Sequence, residues 1–333
     1  MSRTPCLTDI EGIVVGHYTL RKRPTGCTVI TGRQPFVAGV DVRGGAPGTR
    51  ETELLRPENS VDRIDAIFLS GGSAFGLETG VGVSRYLDEH GRGFDAGVAR
   101  VPIVCGAILF DLWLGDPAVR PDARAGYEAI RAASRGPVPE GSVGAGAGAT
   151  VGKMMGRERA MRGGLGSWSL KRPDGLKVGA LAVVNAVGNV VDPKTGRTVA
   201  GARGRDGNGF VDAVAEVRNG FRPGSPFHDN TVLGVVATNA GLTKAQCAKV
   251  SQMAHDALAR CIYPSHTPWD GDTVFTISTG TLTLKEADAG IVGVLAAEAL
   301  ATAIIRGVLK AKSWESYPAA CDYAGSRDAP IDQ

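Results

Sequence analysis

Residues 230 and 231 of this chain are asparagine and threonine. They lie where a polar turn, Phe227-His228-Asp229-Asn230, meets an apolar run, Val232-Leu233-Gly234-Val235-Val236. A threonine hydroxyl is a poor nucleophile without a base beside it. A threonine at a chain terminus carries one, its own α-amine, whose unperturbed pKa of about 7.7–8.0 leaves a useful fraction neutral at physiological pH. Thr231 gains that amine only if the bond before it is broken. Its Oγ can do this by attacking the Asn230 carbonyl, moving the acyl group from nitrogen to oxygen, with water opening the resulting ester. Thr238 is a rival nucleophile at the far end of the same run, but a cut there would strand the segment before it. The ordinary alternative is that Asn and Thr are common where strands begin.

Other segments carry weaker signals. HTPWDGDTVF, residues 266–275, places Asp270 and Asp272 two apart at the head of an apolar run. In an extended chain such neighbours point to the same side, and two close carboxylates share a proton or orient a nucleophile. Asp-Gly-Asp is also ordinary turn material, and taken alone that reading stands ahead. GSVGAGAGATVGKM, residues 141–154, is close to a phosphate loop, but Ala147 replaces the first required glycine and Met154 the metal-binding hydroxyl. What remains is a small-residue segment that delivers one lysine, Lys153. LSGGSAFG, residues 69–76, has strand–turn–helix character and could aim backbone N–H groups at an anion.

The elements that must hold these residues are short. Val- and Ile-rich runs predict strands at 66–69, 103–109, 178–184, 232–236 and 274–277. Helices are predicted at 75–89, 123–133, 285–310 and from Thr243 to about Ile262, the last opened by a capping box, Thr243 to Gln246. After residue 170 the strands come in pairs, which favours α+β layers over a doubly wound parallel sheet. Residues 203–224, rich in Gly, Asn and Pro, read as a long exposed loop just before Asn230.

Bulk composition excludes several classes. The 333 residues are 43% hydrophobic and 21% charged, as in a globular protein of one or two domains. Net charge is +3, and no basic block exceeds Arg21-Lys22-Arg23, read as a solvated turn, so a nucleic-acid surface is not expected. None of the six cysteines has CxxC spacing, and Cys105 lies in an apolar run that suits a buried thiol. With no signal peptide in MSRTPCLTDIEG, a reducing cytoplasm is expected. The five histidines lack metal-ligand spacing. The stretch 290–309 carries Glu298 and Arg306, which predicts a buried helix and not a membrane span.

In order along the chain, LTDIEGIVVGHYT (7–19), GVDVRGGAPGTRET (39–52), LSGGSAFGLETGVGV (69–83), FDLWLGD (110–116), GAGAGATVGK (144–153), LAVVNAVGNVVD (181–192), NTVLGVVATNA (230–240) and HTPWDGDTVF resemble the L-aminopeptidase/D-esterase (DmpA-like) group of self-processing hydrolases, which includes the nylon-oligomer hydrolases. The resemblance covers nearly the whole chain. It implies a single α+β domain, a four-layer αββα sandwich of the DmpA/ornithine-acetyltransferase type. It implies autocleavage between Asn230 and Thr231 into an α-chain, 1–230, and a β-chain, 231–333, that stay associated.

In that reading Thr231 is the nucleophile and its freed amine the base. Asn185 donates to the oxyanion, Lys153 keeps the amine neutral, and Asp270 and Asp272 orient Thr231. The pair of aspartates thereby becomes catalytic and not mere turn material. Two departures stand out. Threonine replaces the serine of some members, and Phe110 stands where several carry an aromatic hydroxyl, so a pocket hydrogen bond is lost and substrate preference does not carry over directly. The implied activity is hydrolysis of amide or ester bonds at a small amino-terminal unit, through an acyl-enzyme. The expected substrate is a small molecule or short peptide, with no metal or organic cofactor, no nucleic acid and no membrane, in a homo-oligomer of tetramer size or larger. Two alternatives remain: an acyltransferase of the ornithine-acetyltransferase type on the same scaffold, and an uncleaved binding protein.

Overall fold

The structure is a computed structural model that describes residues 3–205, 209–222, 230–282 and 288–323. The turn 227–229, parts of the 203–224 loop and the expected helix start at Lys285 lie outside the described residues.

Among the described residues nine strands form one hydrogen-bonded sheet, eight along a path that folds back on itself and one, Ile13–Thr19, beside it. The joint is Gly26–Val42, a strand of 17 residues. Its first half pairs with Ile13–Thr19 and with Arg63–Ser70, and Arg63–Ser70 pairs in turn with Val104–Ile108. The register breaks between Thr31 and Phe36. Beyond the break, Val37 to Val42 pairs with Thr273–Leu282. That strand runs parallel to Thr231–Ala240, which is followed outward by Lys177–Asn185 and Gly164–Lys171, both antiparallel.

The two halves of this path stack face to face. Alternation along each strand sends side chains to opposite faces. Leu233, Val235 and Ala237 therefore meet Ile30, Ile67, Leu69 and Cys105 in a core between the sheets. Val232 and Val236 point the other way, into a second core under the helices Lys244–Cys261 and Ala289–Leu309. A third core, with Val29, Ala66 and Phe68, lies under Thr79–Glu89 and Ala123–Arg131. Three cores between four layers make the αββα sandwich that the resemblance implies. Because Thr231–Ala240 is buried on both faces throughout, its centre, residues 232–237, reads as a continuous apolar run with no alternation.

The capping box at Thr243 is present, with Gln246 as its partner. Ala289–Leu309 is long and apolar enough to cross a membrane by composition alone, yet 61% of its apolar window is buried inside the fold, and its Arg306 pairs with Glu140 at 2.5 Å. Cys105 is fully buried, and all six cysteines are free.

Three expectations need correction. Arg23 is not in a solvated turn: it is buried and pairs with the equally buried Asp111 at 2.6 Å. The segment after Arg203 is not wholly loop, since Asp212 caps a short helix, Ala213–Arg218. The helix expected from Phe75 begins as a tight 3-10 turn, Ser73–Glu78, before becoming α-helical at Thr79.

Candidate active site

Strand register brings the candidate residues together. Asn185 ends one strand, Thr231 begins the next, and the two are direct antiparallel partners. On its other side the Thr231 strand runs parallel to Thr273–Leu282, with Leu233 opposite Thr273. Parallel neighbours start at the same end, so the residues leading into them also meet: Asn230 bridges to Asp270. Thr231, 4% exposed, is thereby flanked by an amide on one side and the Asp270-Gly271-Asp272 turn on the other.

The peptide before Thr231 is held in a specific way. The Asn230 carbonyl oxygen accepts a hydrogen bond from the Gly271 N–H at 2.8 Å. The same oxygen accepts one from Thr231 Oγ. The hydroxyl thus lies against the carbonyl it would attack, and a backbone donor already sits where negative charge would develop. Gly271 cannot be another residue without disturbance, because a Cβ there would lie 2.7 Å from Thr231 Oγ.

The two aspartates do different work. Asp272, buried, accepts the Val232 N–H at 2.8 Å. Its other oxygen takes the His266 N–H at 3.1 Å and His266 Nδ1 at 2.8 Å, which fixes the imidazole as its Nδ1–H tautomer. Asp270 accepts the Thr267 N–H at 2.9 Å and Thr267 Oγ at 2.6 Å. Burial first, and the Asp272 carboxylate second, push the Asp270 carboxyl up to about 6 from an ordinary 3.8. The loop after Gly26–Val42 wraps this turn, with the Ala46 N–H on Asp270 O and the Arg43 and Gly44 N–H groups on Asp272 O.

Lys153 is delivered by the glycine-rich segment. Gly152 adopts a left-handed φ of 73°, and a Cβ there would strike Ala202 N at 2.1 Å. The turn buries Lys153 to 1% exposure and places its Nζ 2.9 Å from Asn185 Oδ1 and 3.0 Å from Asn185 O. The Thr150 N–H adds a bond to the same Oδ1 at 3.0 Å. With donors gathered on the oxygen, the amide nitrogen must face the other way, and it reaches the half-buried Phe110 at its carbonyl, 3.1 Å away. Thr238 is no competitor, because its hydroxyl is engaged with Lys177 O at 2.9 Å within the strand.

The turn at 69–76 binds an anion, but one of the chain's own. The Gly72 N–H donates to Asp111 Oδ1 at 2.9 Å, and Thr25 Oγ donates to Asp111 Oδ2 at 2.6 Å. The pair of Asp111 and Arg23 thereby anchors the segment that carries Phe110.

Gly271, His266 and His255 were not singled out from sequence. His266 takes a left-handed φ of 55°, and its ring stands edge-on to His255, with centroids 4.9 Å apart. His255 in turn meets Asp41 O at 2.9 Å. Adjacency of His266 to the Asp-Gly-Asp turn was the only available signal.

The model of peptidase family S58 matches residues 5–320. An uncharacterized aminopeptidase of Mycobacterium bovis is 43% identical over 94% of this chain and 96% of its own length. A 6-aminohexanoate-oligomer endohydrolase of Kocuria sp. is 30% identical over 89% of this chain and 81% of its own. Among solved structures, a Burkholderia sp. β-aminopeptidase superposes with a TM-score of 0.70 at 22% identity, covering 98% of this chain and 94% of that one. The L-aminopeptidase D-Ala-esterase/amidase of Ochrobactrum anthropi, described as a variant of the Ntn hydrolase fold, gives 0.70 at 17% identity with the same coverage. With its sandwich fold and with nearly all of its length matched, the chain belongs to peptidase family S58 and is a hydrolase of amide bonds.

Proposed function

We propose that this chain cuts itself between Asn230 and Thr231, and that the freed Thr231 then hydrolyses amide bonds through an acyl-enzyme. The carrying observation is the Asn230 carbonyl, approached by Thr231 Oγ and held by the Gly271 N–H at 2.8 Å. Attack forms a five-membered ring and places the new alkoxide on the oxygen that Gly271 already holds. Collapse expels the Thr231 nitrogen, and water releases the Asn230 carboxylate. The pieces 1–230 and 231–333 stay together because the Thr231 strand lies between two neighbours in the sheet.

In the second stage the neutral Thr231 amine takes the hydroxyl proton as Oγ attacks a substrate carbonyl. The buried Lys153 ammonium disfavours a second positive charge nearby and so keeps that amine unprotonated. One N–H of Asn185 is assigned to the substrate oxyanion, and Asp272, through the Val232 N–H, holds the start of the strand in place. The substrate class is an amide whose acyl part is small and begins with an amine, as the names of the aminopeptidase and aminohexanoate-oligomer relatives suggest. Phe110 lines its pocket.

Intact-mass spectrometry under denaturing conditions tests the first stage. Two species are expected, summing to the full chain plus one water, the smaller beginning at Thr231. A single full-length mass after long incubation of active protein would overturn it.

A further inference from the structure

A cavity of about 310 Å³ has a lining that does not include Thr231 and that includes Arg21, Lys22, Arg23, Arg162, Lys312 and Trp314. That volume is in the range of small-molecule sites. Five of these six side chains are cationic, and among the described residues no carboxylate lines the cavity. Arg21, Lys22 and Lys312 are exposed at its rim.

The two buried cations differ. Every guanidinium nitrogen of Arg23 is engaged: it meets Asp111 Oδ1 at 2.6 Å, Asp111 O at 2.6 Å, Leu114 O at 2.9 Å and Val119 O at 2.6 Å. Arg162 is 1% exposed and only one of its three guanidinium nitrogens is engaged among the described residues. Its Nη2 donates to the Ala147 carbonyl, while Nε and Nη1 have no hydrogen-bond partner among the described residues. Burial lowers its pKa to about 10, so it stays charged at neutral pH. A buried guanidinium with unmet donors is costly to keep. The planar fork of N–H groups suits an oxyanion, and the cationic rim raises the local concentration of one. The carboxylate that acts on both buried cations is Asp111: it is bonded to Arg23 at 2.6 Å and, being already held by Arg23, Thr25 and the Gly72 N–H, it partly offsets the Arg162 charge without taking its free donors.

We propose that this cavity is a second ligand site, for a small oxyanion of the phosphate or carboxylate class, with Arg162 as its anchor. It shares no lining residue with the Thr231 site. It is nevertheless connected to it, because Arg162 is the strand partner of Thr150, whose N–H holds Asn185 Oδ1 at 3.0 Å.

The test is calorimetric titration of the full chain with inorganic phosphate, and separately with acetate and succinate, at ionic strength held constant with sodium chloride. Saturable binding of one equivalent is expected, weakened about tenfold or more in Arg162→Gln, as for loss of a charge-assisted contact. Phosphate binding preferentially assigns the phosphate source, and succinate or acetate binding preferentially assigns the carboxylate source. Should Arg162→Gln fail to fold, the exposed double variant Arg21→Gln/Lys312→Gln takes its place, with about a threefold or greater weakening expected from the lost rim charge. No saturable binding to the wild-type chain, or binding unchanged in these variants, overturns the proposal.

Discussion

Asn185 and Thr231 stand directly opposite one another across an antiparallel strand pair, and the Asn185 side-chain oxygen is held by Lys153 Nζ at 2.9 Å. One strand register thus decides the placement of the Thr231 hydroxyl, the Asn185 amide and the Lys153 amine that holds it. A slip by one residue would turn Thr231 to the opposite face of the sheet.

Asn185→Ala removes the amide assigned to the oxyanion and leaves Lys153 without that acceptor. Turnover is expected to fall by about a hundredfold or more, as for other oxyanion-donor deletions. Steady-state kinetics on a small amino-terminal amide checks this. A near-normal rate would take Asn185 out of the mechanism.

Gly271→Ala places a Cβ 2.7 Å from Thr231 Oγ. The hydroxyl must move off the Asn230 carbonyl, so self-cleavage is expected to slow by about tenfold or more, a misplacement effect. Quenched time points read by mass spectrometry give the rate. The same Cβ would lie 2.8 Å from the Ala46 carbonyl oxygen, so the loop over the turn must also shift a little, and circular dichroism should show the secondary structure retained while that local adjustment occurs.

The Asp270 carboxyl ionises in the unfolded chain near 3.8 but in the folded state at about 6. Its folded value is raised, so its contribution to stability is fully present below the unfolded value and is lost as pH rises through the folded one. Between about pH 4 and 6 the wild type should therefore lose stability relative to Asp270→Asn, and the difference should level off above that window. Paired urea melts across this range measure it. A flat difference would mean that the carboxyl is not raised.

Arg23 and Asp111 are both buried and share a bond of 2.6 Å. Removing one partner leaves the other charge uncompensated, so Arg23→Met is expected to cost about 3–5 kcal/mol. The same substitution should lower turnover, since Asp111 anchors the Phe110 segment. A melt shifted by less than about 1 kcal/mol would mean the pair is dispensable.

Much of this was legible before any coordinates. The strands around 66–69, 178–184, 232–236 and 274–277 announced themselves because both of their faces are buried, and the capping box at Thr243 marked its helix. Gly26–Val42 did not, because Thr31-Gly32-Arg33-Gln34-Pro35 interrupts its apolar pattern at the very point where it passes from one sheet to the other. Arg23 was misread because a run of three cations looks solvated, and nothing nearby in the sequence discloses a carboxylate 88 residues away. Asp270 and Asp272 were ambiguous by themselves, and only the wider resemblance moved them toward chemistry. Gly271, lying between them, was passed over because its role is that of a backbone N–H, which no residue type reveals.

The Thr231 strand lies inside the sheet, between Lys177–Asn185 and Thr273–Leu282, and Thr273–Leu282 is itself fastened to Gly26–Val42. A chain cut at 230 is therefore woven, not hinged: residues after the cut supply two interior rows of the fabric, and residues before it supply the rows on either side. Neither piece could be withdrawn without baring strand edges on the other. Connectivity at 230 would be needed for assembly and dispensable afterwards. The two pieces made separately should be poor at finding each other, even though the same pieces born from one chain would never part.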